Sequence, residues 1–455
     1  MDTFYLVFRV VPIPENPSAK EVEGAFASCW ILADDPAAAL ILASFKVRQQ
    51  EWEIVSVEEA PIKVTKTDYS DTEHDLERYK TAQTQGMSLV FAAWAKDGKS
   101  SYGPVRLKDA NDFILSDYLS QIKTLKRKGR CLHFDAGRRC AALIDAHSIQ
   151  KNGALSLIAE NGEVYVPSKN FGDTKRSMGG VAFAKQGVGA VSTFRGFCGK
   201  HDNELFRPID DFPLSPTSEQ IALYAYRSLC REIFFKENSV LLFKELSEKD
   251  HQNKAIIGVF DAMYKGSALA LRNLNVHKKK YEFLLGSGSF KALKSVLFHS
   301  SQPPSVVFSG VLYPEYDFMA NQLQDLSDRS KNVDLISFCF APMSQGWACL
   351  FAWHEDSSKS CVPLMRSLAT VTHGNESLGV CLFRFVVSNC ENLAMNPSRW
   401  KSLTEKQRDE VAASASHATN VFSPVRSDYL TRGLENITDW KFDYVTSTFE
   451  PGTES

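Results

Sequence analysis

The chain has 455 residues, of which 44% are hydrophobic and 23% charged, and its formal net charge is −2. At roughly 100–200 residues per domain this is material for about three domains with cores of their own, and 30 Phe, 14 Tyr and 7 Trp exclude disorder as the dominant state. The charge balance excludes a polybasic protein, and ten cysteines scattered from Cys29 to Cys390 are too sparse for a disulfide scaffold, which fits a reduced, cytoplasmic chain.

The N-terminal MDTFYLVFRVVPIPENP has neither a basic stretch nor a long apolar one, so no signal peptide is expected. No run approaches the roughly 18 apolar residues of a membrane span. Tyr5–Val11 reads as a strand that Pro12 and Pro14 end, and Ala25–Leu32 as a second strand. After Asp34-Asp35, Pro36 fits the first turn of a helix capped by an Asp, over the Ala-rich stretch to Val47. Trp52–Val57 is strand, Thr72–Gln85 helix and Leu89–Trp94 strand again. The order ββαβαβ predicts a small ferredoxin-like α/β sandwich over residues 1–95 with its helices on one face. A connector with a short helix at Ala110–Ile122 follows. After Pro213 and Pro216 a helical region runs to about Leu285, its Ile256–Met263 stretch apolar around the whole circumference. Beyond Pro303 and Pro304, Ser305–Leu312, Val333–Phe340, Gly346–Trp353 and Gly379–Val387 read as strands, and Pro397–Trp440 returns to helix. The chain is therefore expected to be a multidomain α+β protein, with residues 213–300 helical and 301–455 β-rich.

Most of the chemistry lies between residues 122 and 212. Cys131-x8-Cys140 is followed by Cys198-x2-His201, four ligands of the kind that close a tetrahedral structural zinc site. Gly199 is expected to allow a tight turn between Cys198 and His201. His133 competes with Cys131 for the fourth place. The remaining cysteines, Cys230 and the C-terminal five among them, are expected simply to pack. Beside the ligands, Cys140–Ile149 reads as an apolar strand ending in a histidine, and Asp202, Asn203 and Glu204 follow the last ligand.

Ala146-His147-Ser148-Ile149 and Phe197-Cys-x2-His-Asp-x3-Phe206 resemble two elements of the HNH endonuclease family, in which a ββα metal core is braced by a zinc knuckle. The resemblance implies a treble-clef-like zinc domain over residues 122–212. By it, His147 is the general base that deprotonates a water, and Asp202, with Asp145, holds a Mg²⁺ or Mn²⁺ ion on the scissile phosphate. Asn161 and Asn170 are the two positions open to the family's middle Asn. The activity implied is metal-dependent cleavage of nucleic acid, in a defence or mobile-element setting. A non-catalytic, zinc-stabilised module that binds nucleic acid or protein is the other reading of the same residues, with His147 merely closing a strand.

From Ile122 to Lys151 eight basic residues stand against two acids, Asp135 and Asp145. Lys123, Lys126, Arg127, Lys128, Arg130, Arg138 and Arg139 are the candidate phosphate contacts. Residues 1–95 and 301–455 are the candidate surfaces for a protein partner. Gly286-Ser-Gly-Ser lacks the Gly-Lys-Ser/Thr ending of a phosphate loop and is expected to be a turn.

Overall fold

The structure, a computed structural model, describes residues 2–69, 73–95, 128–168, 181–248, 254–326, 331–374, 376–419 and 426–449, together with Leu125 and Asp328. The connector helix expected at residues 110–122, the cations Lys123, Lys126 and Arg127, and Asn170 lie outside the described residues, as do the side chains of most of 256–262.

The N-terminal region follows the expected order: β1 (Asp2–Pro12), β2 (Val22–Ala33), α1 (Pro36–Gln49), β3 (Trp52–Val64), α2 (Glu73–Gln85) and β4 (Met87–Ala95). Asp35 caps α1 by accepting from the Ala38 amide at 2.9 Å, with Pro36 in the first turn. The four strands form one antiparallel sheet in the order β3-β1-β2-β4. β1 and β2 pair directly as a hairpin, where a ferredoxin-like βαββαβ chain places a helix between its first two strands. The expectation of helices on one face is also corrected. Phe4, Leu6, Phe8 and Val10 of β1 pack with Ala39, Leu42 and Val47 of α1, whereas Tyr5 and Trp30 pack on the other face with Leu76, Tyr79 and Ala82 of α2. Strand side chains alternate between faces, and both sets of β1–β2 side chains are apolar enough to need cover.

The centre of the molecule is a second sheet, in the order β14-β9-β12-β11-β10-β13-β6-β7 and antiparallel throughout. Its strands are β6 (Glu163–Ser168), β7 (Ala182–Gly187), β9 (Leu293–Ser300), β10 (Val306–Leu312), β11 (Ile336–Pro342), β12 (Trp347–His354), β13 (Leu393–Met395) and β14 (Tyr444–Ser447). Two helical layers cover it. On one face lie the long antiparallel helices α4 (Ser218–Glu248) and α5 (Lys254–Ser287), against Ala348, Leu350 and Ala352 of β12. On the other lie α6 (Ser358–His373), α7 (Leu378–Asn389) and α8 (Glu405–Thr419), against Trp347, Cys349, Phe351 and Trp353 of the same strand.

Three expectations change here. Gly379–Val387 is not a strand but the heart of α7: nearly every residue from Gly379 to Ser388 is buried, so its apolar run carries no period by which to tell the two apart. Leu293–Ser300, placed in the helical region, is β9. The hairpin β6–β7, an insert within the expected zinc domain, joins the sheet built from residues 293–447, so one sheet spans segments expected to lie in separate domains. Among the described residues, no helix is long and apolar enough to cross a membrane.

Candidate metal centre

β5 (Leu143–His147) and β8 (Thr193–Cys198) form a two-stranded antiparallel sheet, and α3 (Gly199–Asp210) leaves directly from the end of β8. Preceding them, the loop from Cys131 to Cys140 folds back over this ββα unit. The Leu132 amide donates to the Gly196 carbonyl at 2.8 Å. Gly129 makes the approach possible, because a Cβ there would stand 1.9 Å from the Arg195 carbonyl oxygen. A left-handed turn at Gly137 and Arg139 brings Cys140 back towards Cys131, which is how an eight-residue spacing still presents both sulfurs to one point.

The ligand atoms of Cys131, Cys140, Cys198 and His201 all lie within 4.8 Å of one another. Both Cys131 Sγ and Cys140 Sγ stand 3.5 Å from His201 Nδ1. With Zn–S of about 2.3 Å and Zn–N of about 2.0–2.1 Å, a tetrahedral S–N edge is about 3.6 Å, so the donor set fits one zinc ion. Gly199 is not what brings the last pair together. Cys198 is the N-cap of α3 and accepts from the His201 amide at 3.4 Å; an N-cap residue and the one three positions on face each other in any helix start. His133 does not take the fourth place: its ring stacks on His201 at 4.3 Å, and its Nδ1 accepts from the Asp135 amide at 2.9 Å.

The thiols do not divide cleanly into ligands and packing residues, since burial pushes the ligand Cys131 up to about 11. Burial pushes Cys230 and Cys390 up to about 12, as it does for apolar packing residues. Burial raises Cys198 too, but the amides of His201 and Ala141 and the neighbouring thiols outweigh it and bring its pKa below the ordinary value. All five C-terminal cysteines are buried and free, as expected.

His147 closes β5, half-buried, as expected from its place at the end of an apolar strand. Its Nε2 lies 3.2 Å from the Val188 carbonyl. A carbonyl can only accept, so Nε2 carries the proton and Nδ1 keeps the lone pair. Burial lowers the His147 pKa, with the Val188 bond opposing and Lys151 and Arg227 adding to the effect, so the ring is neutral near pH 7. Asp202 sits half-buried in the first turn of α3. Burial pushes its carboxyl up to about 6, with Arg227 pulling against it and Asp210 adding. Asp145, by contrast, is exposed, and among the described residues it makes no hydrogen bond or ion pair. Asn161 occupies an exposed turn with φ of 54°.

Arg227, from α4, escaped the sequence reading. It is 2% exposed, forms a two-point ion pair with Asp210 and lies over the Phe206 ring at 4.1 Å. Asp202, Phe206 and Asp210 stand at intervals of four residues on one side of α3, so Arg227 runs along the side that carries Asp202. Nothing in the local pattern of α4 could have signalled a partner seventeen residues upstream.

The basic cluster is partly spent within the molecule. Arg130 is gripped by Glu237 at 2.6–3.2 Å, and Arg139 lies 3.8 Å from Glu204 and 4.0 Å from Asp135. Lys128 and Arg138 are exposed, and among the described residues they form no ion pair. No protein-family model, curated protein or solved structure matches this chain.

Proposed function

We propose that this chain is a metal-dependent nuclease of HNH-like type, in which a structural zinc held by Cys131, Cys140, Cys198 and His201 braces the ββα unit. His147 is the base: its Nδ1 takes a proton from the attacking water while Nε2–H remains bonded to the Val188 carbonyl. Asp202 is the oxygen ligand for Mg²⁺ or Mn²⁺, which when bound offsets the charge that builds on the phosphate oxygens. The observation that carries this reading is the contact of His147 Nε2 with the Val188 carbonyl, which leaves Nδ1 as the basic nitrogen, on the strand paired to the one that delivers Cys198. Lys128 and Arg138, with Lys123, Lys126 and Arg127, are the phosphate contacts, and the free thiols suit work in a reducing compartment such as the cytoplasm.

The purified protein with either ion should nick or cut DNA or RNA. His147→Ala and Asp202→Ala should each abolish cleavage and keep the zinc, since neither belongs to the four-ligand set. Loss of zinc in His147→Ala would overturn the assignment of that residue. Replacing Lys126, Arg127 and Lys128 together with Ala should weaken nucleic-acid binding and flatten its salt dependence by about 0.9 unit of slope per lost phosphate contact. The competing reading, a zinc-stabilised binding module without cleavage, is favoured by the way Asp202 lies near the ion pair of buried Arg227 with Asp210. Wild-type protein inert toward DNA and RNA with both ions would decide for the module.

A further inference from the structure

The hairpin β6–β7 interrupts the ββα unit between β5 and β8, and its return loop supplies the carbonyl that His147 needs. Val188, immediately after β7, is itself held by its amide, which donates to the Gly162 carbonyl at 3.0 Å. The position of this loop therefore depends on where the hairpin docks. β6 meets the main sheet through one register pair, Tyr165 with Met395. Val164, Val166 and Val181 bury themselves in the core on that face of the sheet, and the segment that follows β13 clamps the outer side of the hairpin. Trp400, 8% exposed, stacks on Phe183 of β7 with centroids 4.5 Å apart and planes 21° apart, and touches the Tyr165 ring at 5.6 Å. At the base of the hairpin, Asn396 Nδ2 donates to the Ile158 carbonyl and to Glu160 Oε1, both at 3.0 Å, and the Ser398 amide donates to the same carboxylate at 3.1 Å.

We propose that Trp400 is a positioning residue for His147: by fixing the hairpin β6–β7 it sets where the Val188 carbonyl stands, and so which imidazole nitrogen keeps the lone pair. The C-terminal region is thereby part of the site rather than an appended domain. A loose hairpin lets the carbonyl drift, the preference for Nε2–H fades, and the fraction of rings with a basic Nδ1 aimed at the substrate falls. This rests on the reading of His147 as base for its catalytic consequence, but not for its structural one.

The test uses the full-length zinc-loaded protein with ¹³C,¹⁵N-histidine, the His147 ring signals being assigned by their loss in His147→Gln. In the wild type His147 should show one neutral tautomer, Nε2–H. Trp400→Ala should shift the ring towards a mixture and lower kcat with little change in KM, on the order of tenfold to a hundredfold for a displaced catalytic group. Trp400→Phe, which keeps an aromatic face against Phe183, should preserve both. Glu160→Ala, a milder break in the same docking, should give a smaller change in the same direction, and it serves if Trp400→Ala fails to fold. A wild-type ring that already mixes tautomers, or a folded Trp400→Ala protein with the wild-type ring spectrum, overturns the proposal. Should the wild type prove inert as a nuclease, the proposed reaction fails alone and the ring spectra still decide the role of Trp400.

Discussion

The N-terminal sandwich and the metal unit are both small mixed α and β assemblies, yet they hold together by opposite means. The sandwich has four strands of 9 to 13 residues and an apolar layer on each face of its sheet. The metal unit has two strands of five and six residues. A two-stranded sheet is marginal alone in water. Its aromatic cluster of Phe194, Phe197 and Phe206 is extended by Tyr226 and Phe234 of α4. Further ties run from Tyr226, whose hydroxyl donates to the Leu132 carbonyl at 3.0 Å, and from Arg130 to Glu237. Where strand area is too small to bury a core, a neighbouring helix takes over its work, beside four donor groups that could hold a metal ion.

The largest expected effect tests that division directly. Cys198→Ser, or chelation, should release about one zinc per chain and remove on the order of 10 kcal/mol from the metal unit. Calorimetry should then lose one transition while the sandwich melts as before; metal-free protein with unchanged melting would end the comparison. Leu6→Ala is the converse, expected to cost about 2–5 kcal/mol by leaving a cavity in the sandwich core, with zinc content unaltered by elemental analysis.

A pH titration probes the helical layer, together with the metal unit, where burial lowers His133 to about 4 as well. His277 of α5 is 3% exposed, bonded through Nε2 to the Val333 carbonyl at 2.8 Å, and burial lowers its pKa to about 4. Below the unfolded pKa of about 6.5 the unfolded chain binds this proton and the folded chain does not. His277 should therefore make stability fall as pH drops from about 6.5 towards 4, by on the order of 3 kcal/mol, and His277→Gln should remove that share of the dependence in urea titrations, leaving the part due to His133. The smallest effect is local: Asp35→Ala removes the cap of α1 and should cost about 1 kcal/mol within the sandwich alone.

Much of this molecule could be read from local pattern, because the signals are local in origin. Asp35-Pro36 marks a helix start by its own capping chemistry, the strands of the sandwich follow from runs of β-branched and aromatic residues, and Cys198-x2-His201 converges because three-residue spacing at a helix start brings both donors to one side. Cys131 and Cys140 were legible as ligand types, but the choice of Cys131 over His133 was not, since it depends on how a loop folds back at Gly137 and onto β8.

What only the tertiary structure decided shares one physical feature: it depends on groups far apart in the chain meeting in space. The apolar run of α7 could be helix or buried strand until its neighbours covered every side of it. Arg227 takes its meaning from Asp210 and Phe206 on another helix. Most plainly, His147 stood in the sequence as a histidine at the end of a strand. Its tautomer is set by the Val188 carbonyl, which an insert carries back after docking on Trp400, and no spacing within the sequence encodes that return.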